Sequence, residues 1–257
     1  MTRAENNEDE LVSMSLGDHL EELRARLMLA LAGLAAAFAV SLAFGKWFLG
    51  FILSPYQTAM KDLNIQVNLQ AIDVAEPFMV YMKASIVLAA LISSPWLFYQ
   101  MWAFVAAGLY KHERRFVKAV APASATLFVI GVLFFLMIIA PLVFRFFVQF
   151  NPGIDFLVYQ PQISKTVNFI LMLALVFGLA FQTPIAIVFA ERMGLVTIPM
   201  LVSVRKYVLL AVFIVGAIAT PPDVVSQVSL AVPLYFLYES GVLICRLRHK
   251  KQPASGQ

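Results

Sequence analysis

Residues 119–144 read AVAPASATLFVIGVLFFLMIIAPLVF, 26 positions without one charged side chain. About 20 apolar residues are enough for a helix to cross a hydrocarbon core of ~30 Å. The stretch therefore predicts a transmembrane helix. Runs of the same kind flank it at 27–44, 78–105, 167–190, 207–219 and 224–245. The expected fold class is an all-α polytopic membrane protein with six transmembrane helices and a short amphipathic surface helix at the N-terminus. Composition agrees: 61% of the 257 residues are hydrophobic and 13% charged, against roughly 45–50% and about 25% in soluble domains. A net charge of +4 in such a chain reports on its loops and is no nucleic-acid footprint.

Outward from the apolar runs, residues 1–14 are acidic (Glu5, Glu8, Asp9, Glu10) and predict a disordered tail, unlike the short basic start of a cleaved signal peptide. Leu16, Leu20, Leu23 and Leu27 then recur at helical spacing, so 15–26 reads as the surface helix, capped by Ser15 or Asp18. On its polar face Glu22 can pair with Arg26 and Glu21 with Arg24. The connection 47–76 is expected to break at Ser54-Pro55, and Pro95 to kink the second span. Segment 145–166 reads as an irregular loop, 15–246 as a single domain, and 247–257 as a basic disordered tail.

Six spans place both termini on one side. Segments 1–26, 106–118, 191–206 and 246–257 carry 14 Lys and Arg, and the other side carries 5 (Lys46, Lys61, Lys83, Arg145, Lys165). The positive-inside rule then makes both termini cytoplasmic, with 47–76 and 145–166 outside.

The sequence has no H-E-x-x-H, no G-x-G-x-x-G, no P-loop and no Gly-x-Ser element. His19, His112 and His249 stand far apart, and Cys245 is the single cysteine. Neither an enzyme nor a metal or cofactor site is expected.

Polar residues in unusual places remain. In the charged segment 108–118 the one carboxylate, Glu113, has Tyr110, Leu109, Phe116 and Val117 at helical neighbour positions, and therefore no internal cation. Two readings stay open there: a solvated loop that fixes topology, or a carboxylate kept for a cation from another molecule. Gln182 lies about 12 Å inside the fourth run, either as an interhelical hydrogen bond or as a ligand group. Glu239 in the last run either snorkels toward Arg246 or Arg248 or serves a site. Run 207–219 makes a helix of only about 20 Å, and 224–238 one of about 22 Å. The Thr220-Pro221-Pro222-Asp223 turn and Gln227 then sit below the membrane surface, on a face suited to a partner's transmembrane helix unless the other spans cover it.

His19-Leu20-Glu21-Glu22-Leu23-Arg24, Asp73-Val74-Ala75-Glu76-Pro77-Phe78, Tyr99-Gln100-Met101-Trp102-Ala103-Phe104, Gly108-Leu109-Tyr110-Lys111-His112-Glu113-Arg114-Arg115 and Thr220-Pro221-Pro222-Asp223 with Ser226-Gln227 stand in an order that resembles TatC, the multispanning subunit of the twin-arginine protein translocase. The resemblance runs from about Ser15 to Arg246. It implies binding of twin-arginine signal peptides at the cytoplasmic face through carboxylates matching Glu22 and Glu113, with Arg24, Phe104 and His19 in the same region. It also implies assembly in a bacterial cytoplasmic membrane with single-span TatA and TatB and with other TatC copies, for export of folded proteins driven by the proton motive force. Ala107 stands where many members carry proline, and Gln182 where some carry glutamate. The residues alone leave two alternatives: a secondary transporter with a midplane site at Pro95, Gln182 and Pro233, or a membrane scaffold without substrate.

Overall fold

No helix-breaking signal separates Leu16 from the first apolar run, and the chain forms one helix there. In the computed structural model, which describes residues 16–63, 65–66, 68–108, 114–149, 160–220 and 223–250, α1 extends over Leu16–Asp62. At 47 residues it is about 70 Å long, so its ends stand outside a ~30 Å hydrocarbon core. The surface helix expected at 15–26, the span at 27–44 and the start of the connection at 47–76 are thus parts of one element. The acidic tail, residues 109–113 with Glu113, residues 150–159, Pro221, Pro222 and the tail beyond 250 lie outside the described residues, as do the side chains at 16, 18 and 114–118.

The break expected at Ser54-Pro55 does not occur, for a reason that the local chemistry supplies. Proline at position 55 leaves the carbonyl of Phe51 without its helical donor. The Ser54 hydroxyl donates to that same oxygen at 2.7 Å. The pattern recurs in α2 (Glu76–Ala107), where Pro95 orphans the carbonyl of Leu91 and the Ser94 hydroxyl donates to it at 2.8 Å. Serine restores a backbone bond that a bilayer would leave unsatisfied.

The remaining elements are α3 (Arg114–Phe134), a π-helical turn (Phe135–Ile139), α4 (Ala140–Gln149), α5 (Ile163–Ala180), α6 (Thr183–Arg192), α7 (Ile198–Ser203), α8 (Arg205–Ala219) and α9 (Val224–Lys250). Their ends follow from sequence. Pro77 and Pro184 sit in the first turns of α2 and α6, where the missing N–H costs nothing. Thr197 caps α7, accepting from the Met200 amide, and Asp223 caps α9, accepting from the Ser226 amide at 2.6 Å. Gly194, at φ 71°, closes α6. The Leu195 amide donates to the Ala190 carbonyl at 2.9 Å and the Gly194 amide to that of Glu191 at 3.0 Å, a Schellman ending that needs glycine.

Among the described residues, five helical stretches are long and apolar enough to cross a membrane: His19–Asp62, Glu76–Ala107, Ala119–Gln149, Ile163–Arg192 and Val224–Lys250. The fifth run, α8, has 15 residues and is too short to count among them. Among the described residues no strand forms, only one parallel bridge between Gln70 and Gln162.

One core joins α1 to α5 around Ile52, Tyr56, Phe135, Ile170, Leu173 and Phe177, all fully buried. A smaller one joins α6, α7 and α9 around Ile187, Leu201, Tyr238, Val242 and Cys245. Helices α3 and α5 approach so closely that a Cβ at Gly131 would lie 2.7 Å from the Phe177 carbonyl oxygen. Side-chain ties mark the two ends of the bundle. At one, α1 begins beside the end of α2, and Trp102 packs edge-on to Phe189 of α6 at 5.0 Å. His249 meets Glu191 at 2.6 Å there. At the other end Arg145 pairs with Asp62, and Glu76 reaches α5.

Candidate functional site

Three residues of α1, His19, Glu22 and Arg26, fall three and four apart and so share one face. On α2, Gln100, Phe104 and Gly108 are spaced by four and share another. The two faces meet. The rings of His19 and Phe104 stack with centroids 4.6 Å apart. Arg26 donates from Nε to Glu22 Oε1 at 2.7 Å and from Nη1 to Gln100 Oε1 at 3.1 Å. The expected Glu22–Arg26 pair is therefore present, and it is extended by a glutamine whose side chain is 2% exposed. Gly108 lies against His19, with an added Cβ 3.7 Å from His19 Cε1. Arg24 is exposed, two positions from both Glu22 and Arg26 and so on the other face of α1. Glu113 is five positions past Gly108 in sequence.

Gln100 carried no assigned role in the sequence. The available signal was an amide in the middle of an apolar run, four residues before Phe104, where an unpaired polar group is costly.

The other polar residues are dispersed. Gln182 stands at the junction of α5 and α6 and donates to the Ser124 carbonyl of α3 at 3.0 Å, the interhelical bond among its two readings. Ser124 also accepts from Trp102 Nε1, at 2.8 Å. Glu239 does not snorkel toward Arg246 or Arg248. It accepts from Arg205 Nη2 at 2.6 Å and from the Tyr235 hydroxyl at 3.0 Å. Arg205 begins α8, directly across from Glu239, whereas Arg246 is seven residues along α9. Arg248 instead pairs with Glu191 at 3.6 Å. Gln227, expected as an exposed group, is half-buried and donates to the Phe213 carbonyl of α8 at 3.0 Å. Asp223 Oδ1 and the Ser226 hydroxyl are buried near it without partners among the described residues.

The family model for TatC, Sec-independent protein translocase protein, matches residues 18–233, and that span includes the α1–α2 cluster and Asp223 through Gln227. The chain belongs to the TatC family. Among curated TatC proteins, it is 36% identical to that of Haemophilus influenzae over 97% of this chain and 95% of the relative. Identity to that of Escherichia coli K12 is also 36%, over 89% of this chain and 86% of the relative. The TatC of Halothiobacillus neapolitanus is 35% identical over 92% of this chain, which spans 63% of that longer relative. A crystal structure described as the twin arginine translocase receptor TatC superposes with a TM-score of 0.79 at 30% identity. It covers 89% of this chain and 98% of that one. As a TatC-family member the chain is a multi-pass component of a Sec-independent protein translocase. The secondary transporter with a midplane site gives way to that assignment.

Proposed function

We propose that this chain receives twin-arginine signal peptides at the end of the bundle where α1 begins and α2 ends. It then works with TatA- and TatB-type single-span subunits and further copies of itself to move folded proteins across a bacterial cytoplasmic membrane, driven by the proton motive force. The observation that carries the reading is the stack of His19 on Phe104 beside the Glu22–Arg26–Gln100 chain of hydrogen bonds. Glu113 follows Gly108 by five residues in sequence, a reach of at most about 18 Å. A carboxylate on the same helix face as a stacked ring suits guanidinium, which presents a planar fork to a carboxylate and a flat face to an aromatic ring. Lysine offers neither. A signal peptide with its Arg-Arg pair intact should therefore bind the detergent-solubilised protein more tightly than the Lys-Lys version. Equal affinities would remove the reading.

The division of 14 against 5 cations supports an orientation with this site in the cytoplasm. Cys245 is fully buried, so the native thiol is a poor reporter of sidedness. Cysteines introduced at Lys250 and at Ile72, both exposed, serve instead. In intact cells an impermeant thiol reagent should label position 72 and spare 250. The reverse pattern would invert the topology.

For partner docking we favour the outer face of α8 and α9. Tyr207, Leu210, Ile214 and Ile218 recur at helical spacing and are all at least half exposed, and α8 rests mainly on α9 rather than under the first four spans. The polar group at its far end, Asp223 with Gln227, suits a partner span that carries a polar residue at the same depth. Cysteines placed along 208–215 should crosslink to a TatA- or TatB-type span. Crosslinks confined to this chain, with the partner at full level, would defeat the proposal.

A further inference from the structure

We infer that Arg26 is a resident guanidinium that occupies Glu22 while the peptide site is empty, and that an incoming arginine displaces it onto Gln100. This rests on the twin-arginine reading and adds how that site is kept when vacant. The fork of Arg26 is divided between two acceptors, Glu22 Oε1 at 2.7 Å and Gln100 Oε1 at 3.1 Å. It therefore grips neither of them with both N–H groups. Glu22 Oε2 has no hydrogen-bond partner among the described residues. A second cation can approach that free oxygen first and draw the carboxylate away from Arg26, and a guanidinium then closes a two-pronged contact, stronger than the single bond it replaces.

Displacement does not strand Arg26. Gln100 is buried on α2 and keeps its carbonyl oxygen in place, while the Arg26 side chain is 30% exposed, so its remaining donors reach water. The exchange gives up one carboxylate contact without leaving a buried charge unpaired.

A resident competitor has a definite signature. The cost of moving Arg26 off Glu22 does not depend on which cation replaces it. Arg26 therefore lowers the affinity of arginine and lysine ligands by one common factor and leaves their ratio unchanged. Its role is to keep binding reversible, and preference for arginine comes from the ligand's own fork.

The test uses the full chain in detergent, with a fluorescent twin-arginine signal peptide and its twin-lysine version as probes. It is run in 0.5 M salt, where the screening length is about 4 Å, so that long-range repulsion contributes little. Arg26→Gln should bind both peptides about three- to tenfold more tightly, with the ratio between them as in the parent. Glu22→Ala is measured in parallel. Weaker binding in both variants would make Arg26 a support for Glu22 and overturn the inference, leaving recognition intact. Unchanged affinity in Arg26→Gln beside a loss in Glu22→Ala would overturn it too. No loss in Glu22→Ala would show that recognition itself does not use Glu22, and the inference would fall with it.

Discussion

Glu113→Ala is expected to weaken twin-arginine peptide binding about tenfold or more, and Glu22→Ala to do the same, with both variants still inserted in the membrane. A hydrogen bond to a charged partner contributes about 1.5–3 kcal/mol, and a factor of ten in affinity corresponds to about 1.4 kcal/mol. The Glu22 carboxylate makes no bond of its own to another helix among the described residues. Glu22 is joined to its own helix by the Arg26 contact alone, and Glu113 has no cation at helical spacing in the sequence. Glu113→Gln separates charge from shape, because the amide keeps the size and one acceptor but loses the ion. It should retain part of the affinity. Full affinity in both alanine variants, measured by the same peptide titration, would exclude a recognition role for this end of the bundle.

At the opposite end, Glu76→Ala should free the segment before α2 from α5. Glu76 is nearly buried at 5% exposure, and its two oxygens accept from three backbone amides: Ile72 at 2.7 Å, Asp73 at 3.3 Å and Ser164 at 2.9 Å. Ser164 lies in the first turn of α5, where a negative charge is favoured by the helix dipole. The same segment is tied again through the Gln70 amide to the Pro161 carbonyl at 3.0 Å and the Ile163 amide to the Gln70 carbonyl at 2.9 Å. Alanine removes one acceptor group from three donors at once and leaves the second tie to hold alone. Amide hydrogen exchange at Ile72 and Ser164 should accelerate about tenfold or more. Glu76→Gln, with one acceptor oxygen left, should fall between alanine and the parent. Unchanged protection at both amides would mean that the Gln70 bonds suffice and that Glu76 holds nothing.

The membrane class was legible because it depends on something a sequence states directly, the length of charge-free runs such as 119–144. The meeting of His19 with Phe104 was reachable only through family resemblance, since their separation along the chain carries no local signal. The continuity of α1 was hidden because Ser54-Pro55 reads as a stop when each residue is weighed by its own backbone preference. The pair behaves differently from its members. Gln100 was missed for a related reason: its value lies in an arginine 74 positions away. Glu239 shows the limit of arguing along one helix, because the cation that took it belongs to α8.

The serine–proline pairs in α1 and α2 also bear on which sequence changes the chain can accept singly. At 54–55 and 94–95 the hydroxyl is useful only because the proline has removed a donor, and the proline is harmless only because the hydroxyl has supplied one. Losing serine first exposes a bare carbonyl, whereas losing proline first restores the ordinary backbone donor and makes the serine redundant. The two substitutions are therefore ordered: a lineage can pass from Ser-Pro to an unremarkable helix through the proline change, and the path through the serine change crosses a less stable intermediate. Helix continuity in these two spans thus rests on two residues acting together.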